Sequence, residues 1–147
     1  MTQNEISVLK KEVEHLLAME EIGKLPATYC HAVDTKDIER LMAIFSDDAQ
    51  VNSRTLNFDI KGKNDLHNWF TTTPFMLPVS RHKIANLLIS VKGKVATGEA
   101  YYMFSGEVAE VPTEVEGRYR YEFRKIGGAW KIMHLEIEPT SPVPSVQ

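Results

Sequence analysis

Tyr29-x4-Asp34, near the end of a helical stretch, and Arg81-His82, at the head of a strand-like run, are the residues of this chain best equipped for chemistry. A carboxylate beside an imidazole fixes the ring's tautomer and makes it a proton shuttle, and a tyrosine hydroxyl adds a donor that polarises a substrate oxygen. Such a set performs acid–base work without a metal. It requires the fold to deliver two distant stretches of chain to one pocket.

Each of these residues has a plainer reading. Asp34 follows one helix and precedes another, the ordinary setting of an N-cap whose oxygen accepts backbone amides. His31 lies three residues before Asp34 and can pair with it along the helix, as a rival to His82. Tyr29 suits a core aromatic as well as a functional hydroxyl. His15 and His67 sit on helices among polar neighbours, and Cys30 has no visible activating base. His31, Asp34, His82 and His134 are conceivable metal ligands, but no His-x3-His or cysteine pair marks a site, so neither a metal nor a cofactor is expected. Gly93, Gly98 and Gly106 are scattered and form no phosphate-cradling loop.

The elements that must position these groups are helices first and strands later. Thr2 with Glu5 forms a capping box, after which Ile6, Leu9, Val13, Leu16 and Leu17 recur at helical spacing. Pro26 predicts either two helical pieces or one kinked helix over residues 1–33. Asp34-Thr35-Lys36-Asp37 breaks that helix and can cap the next, on which Ile38, Leu41, Met42 and Phe45 share a face. Short strands are expected at 49–53 and 56–60, then a short helix carrying Leu66, Trp69 and Phe70. Long strands follow at 81–91, 95–108, 115–126 and 129–138, with Lys92-Gly93 and Gly127-Gly128 as tight turns. The order implies an α+β domain with helices on one face of a curved antiparallel sheet.

Alternation along these strands puts His82, Ile84, Asn86 and Leu88 on one face, and Tyr119, Tyr121 and Phe123 on one face opposite Arg118, Arg120, Glu122 and Arg124. The last strand offers Trp130, Ile132 and His134 on one side and Met133, Leu135 and Ile137 on the other, so both sides are expected to be covered, one of them by a second subunit.

Composition sets the outer limits. The 147 residues, 43% hydrophobic and 25% charged, fit one domain. A net charge of −3 gives no reason to expect nucleic acid, and no segment is long and apolar enough to span a membrane. One cysteine excludes an internal disulfide, and the first residues lack a secretory pattern, which together point to the cytoplasm. Residues 1–138 are expected to form the domain, and Pro139-Thr140-Ser141-Pro142-Val143-Pro144 to begin a C-terminal tail over 139–147.

The ordered set Glu21-Ile22-x2-Leu25-x3-Tyr29-x2-Ala32-x-Asp34-x2-Asp37-x3-Leu41-x3-Phe45-x-Asp47-Asp48-Ala49 resembles the opening of SnoaL-like proteins of the nuclear transport factor 2-like superfamily. Gly62, His82-x-Ile84-x-Asn86, Gly117-x-Tyr119 and Gly127-Gly128-x-Trp130-Lys131-Ile132 continue the match from about Met19 to Glu138. The resemblance implies a cone-shaped α+β barrel, in which a strongly bent, mostly antiparallel sheet wraps around the N-terminal helices and leaves an apolar pocket at its open end. The superfamily holds dehydratases, isomerases, cyclases and proteins without catalysis, so fold alone does not name the reaction. The Tyr29, Asp34 and His82 positions are similar to those of bile-acid 7α-dehydratases and hexachlorocyclohexane dehydrochlorinases, where an Asp–His pair works on a proton next to a leaving group. Those relatives also carry an arginine in the final strand; here the stretch reads Trp130-Lys131-Ile132-Met133-His134.

The expectation is therefore a cofactor-independent lyase or isomerase, dehydratase- or cyclase-like, for a small apolar carbonyl compound, in a homodimer or higher homo-oligomer. Asp34, His82 and Tyr29 carry catalysis; Phe45, Trp69, Asn86, Tyr101, Met103, Tyr119 and His134 meet the substrate, His134 in partial replacement of the arginine. A non-catalytic ligand-binding or dimerisation module is the alternative.

Overall fold

The computed structural model describes residues 1–72 and 78–142. Thr2 caps the first helix: its Oγ1 accepts the Glu5 amide at 3.1 Å, and α1 runs over Gln3–Thr35. One helical element passes through Pro26. A proline inside a helix costs about 3 kcal/mol through a lost hydrogen bond and a crowded turn. Burial of Pro26 together with Ile22, Leu25 and Tyr29 against the sheet offsets that cost.

Lys36 ends α1 in the left-handed region at φ 58°, its amide directed to the Ala32 and Val33 carbonyls. Asp37 then caps α2, Ile38–Ala43, by accepting the Arg40 amide at 3.1 Å. Capping therefore falls to Asp37, and Asp34 stays inside the last turn of α1 with its carboxylate free for other work.

The strands are β1 Phe45–Ser53, β2 Phe58–Lys61, β3 Ser80–Lys92, β4 Val95–Val108, β5 Val111–Ile126 and β6 Ala129–Pro139, with α3, Lys63–Thr72, between β2 and β3. They form one curled sheet in the order β2-β1-β6-β5-β4-β3, antiparallel except where β1 lies parallel to β6. Both β1 and β5 begin four residues earlier than expected, at Phe45 and Val111. The ladder also runs through Pro139, which pairs with Gly117, and the Thr140 amide reaches the Glu116 carbonyl at 2.8 Å. Residues 143–147 of the expected tail lie outside the described residues.

Two irregularities reverse the strand alternation. Between Ala85 and Leu88 the β3 register shifts, and Asn86 takes φ 56°. Ile84 packs on the core before the shift, and Ile89 and Val91 after it, while Leu88 is 66% exposed. The single face expected for His82, Ile84, Asn86 and Leu88 is thus broken halfway. In β6 the register shifts where Ile132 pairs with Phe123 and His134 with Glu122, so Met133 is the extra residue. Trp130 and Ile132 point inward before it, Leu135 and Ile137 after it. The apparent two-sided apolarity of β6 is one apolar face interrupted by a bulge. On β5 the alternation holds throughout, with Tyr119, Tyr121 and Phe123 buried and Arg118, Arg120 and Glu122 exposed.

The core gathers the second half of α1 with Leu41, Phe45, Val51, Leu66, Phe70 and the inner faces of β5 and β6. The first half of α1 does not join it: Leu9, Val13, Leu16 and Leu17 are 45–66% exposed. No helix among the described residues is long and apolar enough to cross a membrane.

Candidate active site

β3 is an edge strand, so amides on its open side need partners from outside the sheet. Asp34 supplies them from α1, which packs against β3. The His82 amide donates to Asp34 Oδ2 at 2.8 Å, Ser80 Oγ donates to Oδ1 at 2.9 Å, and His82 Nδ1 meets the same Oδ1 at 2.6 Å. A carboxylate only accepts, so Nδ1 carries the hydrogen and Nε2 is left with a lone pair. Both side chains are nearly enclosed, at 11% exposure for His82 and 13% for Asp34. Phe104 covers the imidazole at 5.2 Å between ring centroids.

His31 is exposed and its side chain is not among the groups that reach Asp34; only its carbonyl is engaged, by Thr35 Oγ1 at 2.8 Å. Ser80 is the residue that sequence reasoning missed. Its signal was present: a small polar residue two positions before His82 shares its face, and it is 2% exposed.

Tyr29 stands among aromatics, edge-on to Phe45 at 6.4 Å, Phe70 at 6.2 Å and Tyr119 at 5.8 Å, and Tyr119 stacks on Tyr102 at 4.3 Å. Burial above all, then the neighbouring Cys30, Tyr102 and Asp34, pushes the Tyr29 hydroxyl far above the ordinary tyrosine range. It is therefore a permanent hydrogen-bond donor. Burial, with Asp34 adding to it, pushes the Cys30 thiol up to about 12, which leaves it neutral and poorly nucleophilic. Burial also raises Tyr119 and Tyr121, and the Tyr121 hydroxyl is buried without a hydrogen-bond partner among the described residues.

Of the residues expected to meet a substrate, Phe45 and Tyr119 touch Tyr29, and Trp69 lies one ring farther away, against Phe70 at 4.8 Å. The other four point elsewhere. Tyr101 and Met103 alternate with the inward Tyr102 and Phe104, so they face out of the sheet, and Tyr101 stacks under the Arg118 guanidinium at 5.7 Å. Asn86 is exposed at the β3 bulge. The β6 bulge turns His134 outward, where Nε2 meets Asn52 Oδ1 at 2.6 Å and Nδ1 lies 3.8 Å from Glu122. It cannot stand in for an inward arginine. Nor does Lys131, whose Nζ is held by the Ala43 carbonyl at 2.6 Å.

Surface hollows lie away from the dyad. One of about 440 Å³ on the outer sheet face is lined largely by polar and charged groups, among them Glu99, Arg120, Glu122 and His134, which suits water better than an apolar substrate. Another of about 730 Å³ separates α1 from the hairpin turns at Gly93 and Gly127-Gly128. Among the described residues, no three His, Cys, Asp or Glu side chains converge where a cation could bind.

The family described as the SnoaL-like domain matches residues 14–136. The chain belongs to that family. Solved structures agree on the fold of this SnoaL-like domain. An NTF2-like protein with a cystatin-like fold from Novosphingobium aromaticivorans superposes with a TM-score of 0.84 at 19% identity, over 97% of this chain and 94% of its own. A hexachlorocyclohexane dehydrochlorinase gives 0.81 at 20% identity over 92% and 95%, and a candidate scytalone dehydratase from Novosphingobium aromaticivorans 0.78 at 20% identity over 90% and 91%. Comparison with curated proteins gives no match. The curled sheet is thus the NTF2-like cone that the sequence motifs implied, and the fold is one that dehydratases and dehydrochlorinases share.

Proposed function

We propose that this SnoaL-like domain is a cofactor-independent lyase or isomerase acting on a small, mostly apolar carbonyl-bearing compound. The observation that carries the reading is the 2.6 Å contact between His82 Nδ1 and Asp34 Oδ1, with both groups almost enclosed. His82 Nε2 takes a proton from the carbon next to the carbonyl, and the electron pair moves onto the carbonyl oxygen. Tyr29 donates a hydrogen bond to that oxygen as charge develops. Asp34 stabilises the imidazolium, while Ser80 and the His82 amide hold the carboxylate in place. The imidazolium then returns the proton either to a hydroxyl on the next carbon, which leaves as water with formation of the double bond, or to another carbon, which isomerises the substrate.

Phe45, Tyr119 and Trp69 supply apolar walls, and the Tyr121 hydroxyl, without a partner among the described residues, offers a second donor to a substrate oxygen. Outward placement of His134 and Lys131 leaves β6 without a cation for a departing halide, which favours loss of water or isomerisation over halide elimination. The ligand-binding alternative carries no need for an acid–base contact, and the three-donor clamp on Asp34 speaks against it. The test is turnover of a panel of β-hydroxy ketones and β,γ-unsaturated ketones, followed by mass spectrometry and NMR. Asp34→Asn and His82→Ala should each abolish turnover with little change in melting temperature; full turnover in both would reject the dyad.

A further inference from the structure

α1 carries two apolar seams on opposite sides. Nine residues separate Val13 from Ile22 and Leu16 from Leu25, and nine residues at 3.6 per turn are two and a half turns. Ile22, Leu25 and Tyr29 face the core. Ile6, Leu9, Val13 and Leu16 therefore face away from it, and the last three are 45%, 53% and 66% exposed. The opposite side of the same turns, Lys11, Glu14, His15 and Ala18, looks across a cleft to the hairpin ends and Trp130. Among the described residues nothing covers the outer seam.

Its spacing and residue types say what does. Ile6, Leu9, Val13 and Leu16 follow a 3-4-3 repeat, with β-branched residues at the first core position of each heptad and leucine at the second, the choice that in parallel coiled coils favours two strands. Glu5 and Glu12 flank the seam on one side, and Lys10 and Leu17 on the other. A parallel pair sets Glu5 beside Lys10 of the other copy, twice by symmetry, and Glu12 beside Leu17. An antiparallel pair sets Glu12 against Glu12 and Lys10 against Lys10. Among the described residues Glu5, Lys10 and Glu12 form no ion pair within the protomer, so they are free to do so across the seam. We propose that the first half of α1 forms a parallel two-stranded coiled coil with the same segment of a second copy of this chain.

The test is cross-linking together with solution mass on the full chain. Ile6→Cys should oxidise to a covalent dimer, while the wild type, whose cysteine is the buried Cys30, should not. Val13→Asp should give a folded species of 16.7 kDa by light scattering, where the wild type has twice that mass at high micromolar concentration. Lys10→Glu should weaken association about tenfold, and adding Glu5→Lys should restore it. A cross-link that forms only when Ile6→Cys is mixed with Leu16→Cys would show an antiparallel pair and overturn the proposal. So would a dimer that survives Val13→Asp, which would place the contact on the sheet, or a wild type that is monomeric at every concentration.

Discussion

Asparagine at position 34 keeps the shape of the carboxylate and changes only what its second atom can do. Asp34 accepts from three donors, the Ser80 hydroxyl and His82 Nδ1 on one oxygen and the His82 amide on the other. The backbone amide cannot reorganise, so the asparagine oxygen must face it and the NH2 group must face Nδ1 and Ser80. The serine hydroxyl rotates to accept. The imidazole has to move its hydrogen to Nε2, the atom we propose as the base. Positioned proton transfer contributes roughly 10²–10⁴-fold, so turnover should fall by that factor, about 3–5 kcal/mol of barrier. Stability should change far less. Every hydrogen bond is kept in number and only its charge assistance is lost, at a group that is already nearly enclosed; about 1 kcal/mol corresponds to roughly 2–4 °C in a domain of this size. Two assays separate the effects. Nitrogen-15 shifts of His82 report the tautomer without any substrate, and deuterium exchange next to the carbonyl of a cyclohexanone probe in heavy water reports base strength without a leaving group. An Asp34→Asn protein whose ring keeps its hydrogen on Nδ1, and which exchanges within about threefold of wild type, would refute the reasoning.

Tyr121→Phe removes a buried hydroxyl that has no partner among the described residues and should raise stability by about 1 kcal/mol, seen as a higher melting temperature, while raising the KM for the carbonyl substrates we propose. Gly117→Ala would bring a Cβ to 2.5 Å from both the Glu138 carbonyl oxygen and the Tyr102 ring, so chemical denaturation should show a loss of about 1–3 kcal/mol. Partial burial raises the Glu138 carboxyl, but bonds from the Arg54 amide and from the Thr55 hydroxyl and amide outweigh it and hold the group below the usual carboxylate range. Its folded value is the lower one, so its anchoring of the β1–β2 connection is complete above the ordinary carboxylate range and is lost as pH falls through the folded value. Glu138→Gln should therefore lower stability slightly at neutral pH by calorimetry, a small, solvent-screened gap from wild type that closes in acid.

What could be read from the sequence was whatever depends on local periodicity. The N-cap at Thr2, the β5 alternation and the hairpin turns at Gly93 and Gly127-Gly128 all follow from a few neighbouring residues, and all stand in the fold. The order of motifs carried the cone. What failed is what a single extra residue decides. A bulge leaves no mark in hydropathy, yet the shifts near Asn86 and Met133 send Asn86, Leu88 and His134 outward. On β4 residue type alone is no guide: Tyr101 and Met103 have the right chemistry for a pocket, but they alternate with the inward Tyr102 and Phe104. The apolar stripe at Ile6–Leu16 is helical, as its spacing predicts, and mostly exposed; periodicity gives a face and does not say which body covers it.

Whether Asp34 caps a helix or keeps its carboxylate available to His82 is decided by the two residues after it and by a neighbouring strand. A helix end needs a residue that takes positive φ and a side chain that caps whatever follows; Lys36 and Asp37 perform these tasks in turn. Had the chain entered α2 directly after Asp34, its oxygens would have been spent on backbone amides of the next helix. Displaced three residues downstream, the cap leaves a carboxylate inside the final turn, beside the open edge of β3. An edge amide needs an acceptor whether or not there is catalysis, and the His82 amide finds one in Asp34. That backbone bond fixes the distance between the two elements, so the imidazole of the same residue arrives at Oδ1 with no further adjustment. The dyad is therefore positioned by the interaction that satisfies the sheet edge, and a change that moves the cap back onto Asp34 would disarm His82 without touching it.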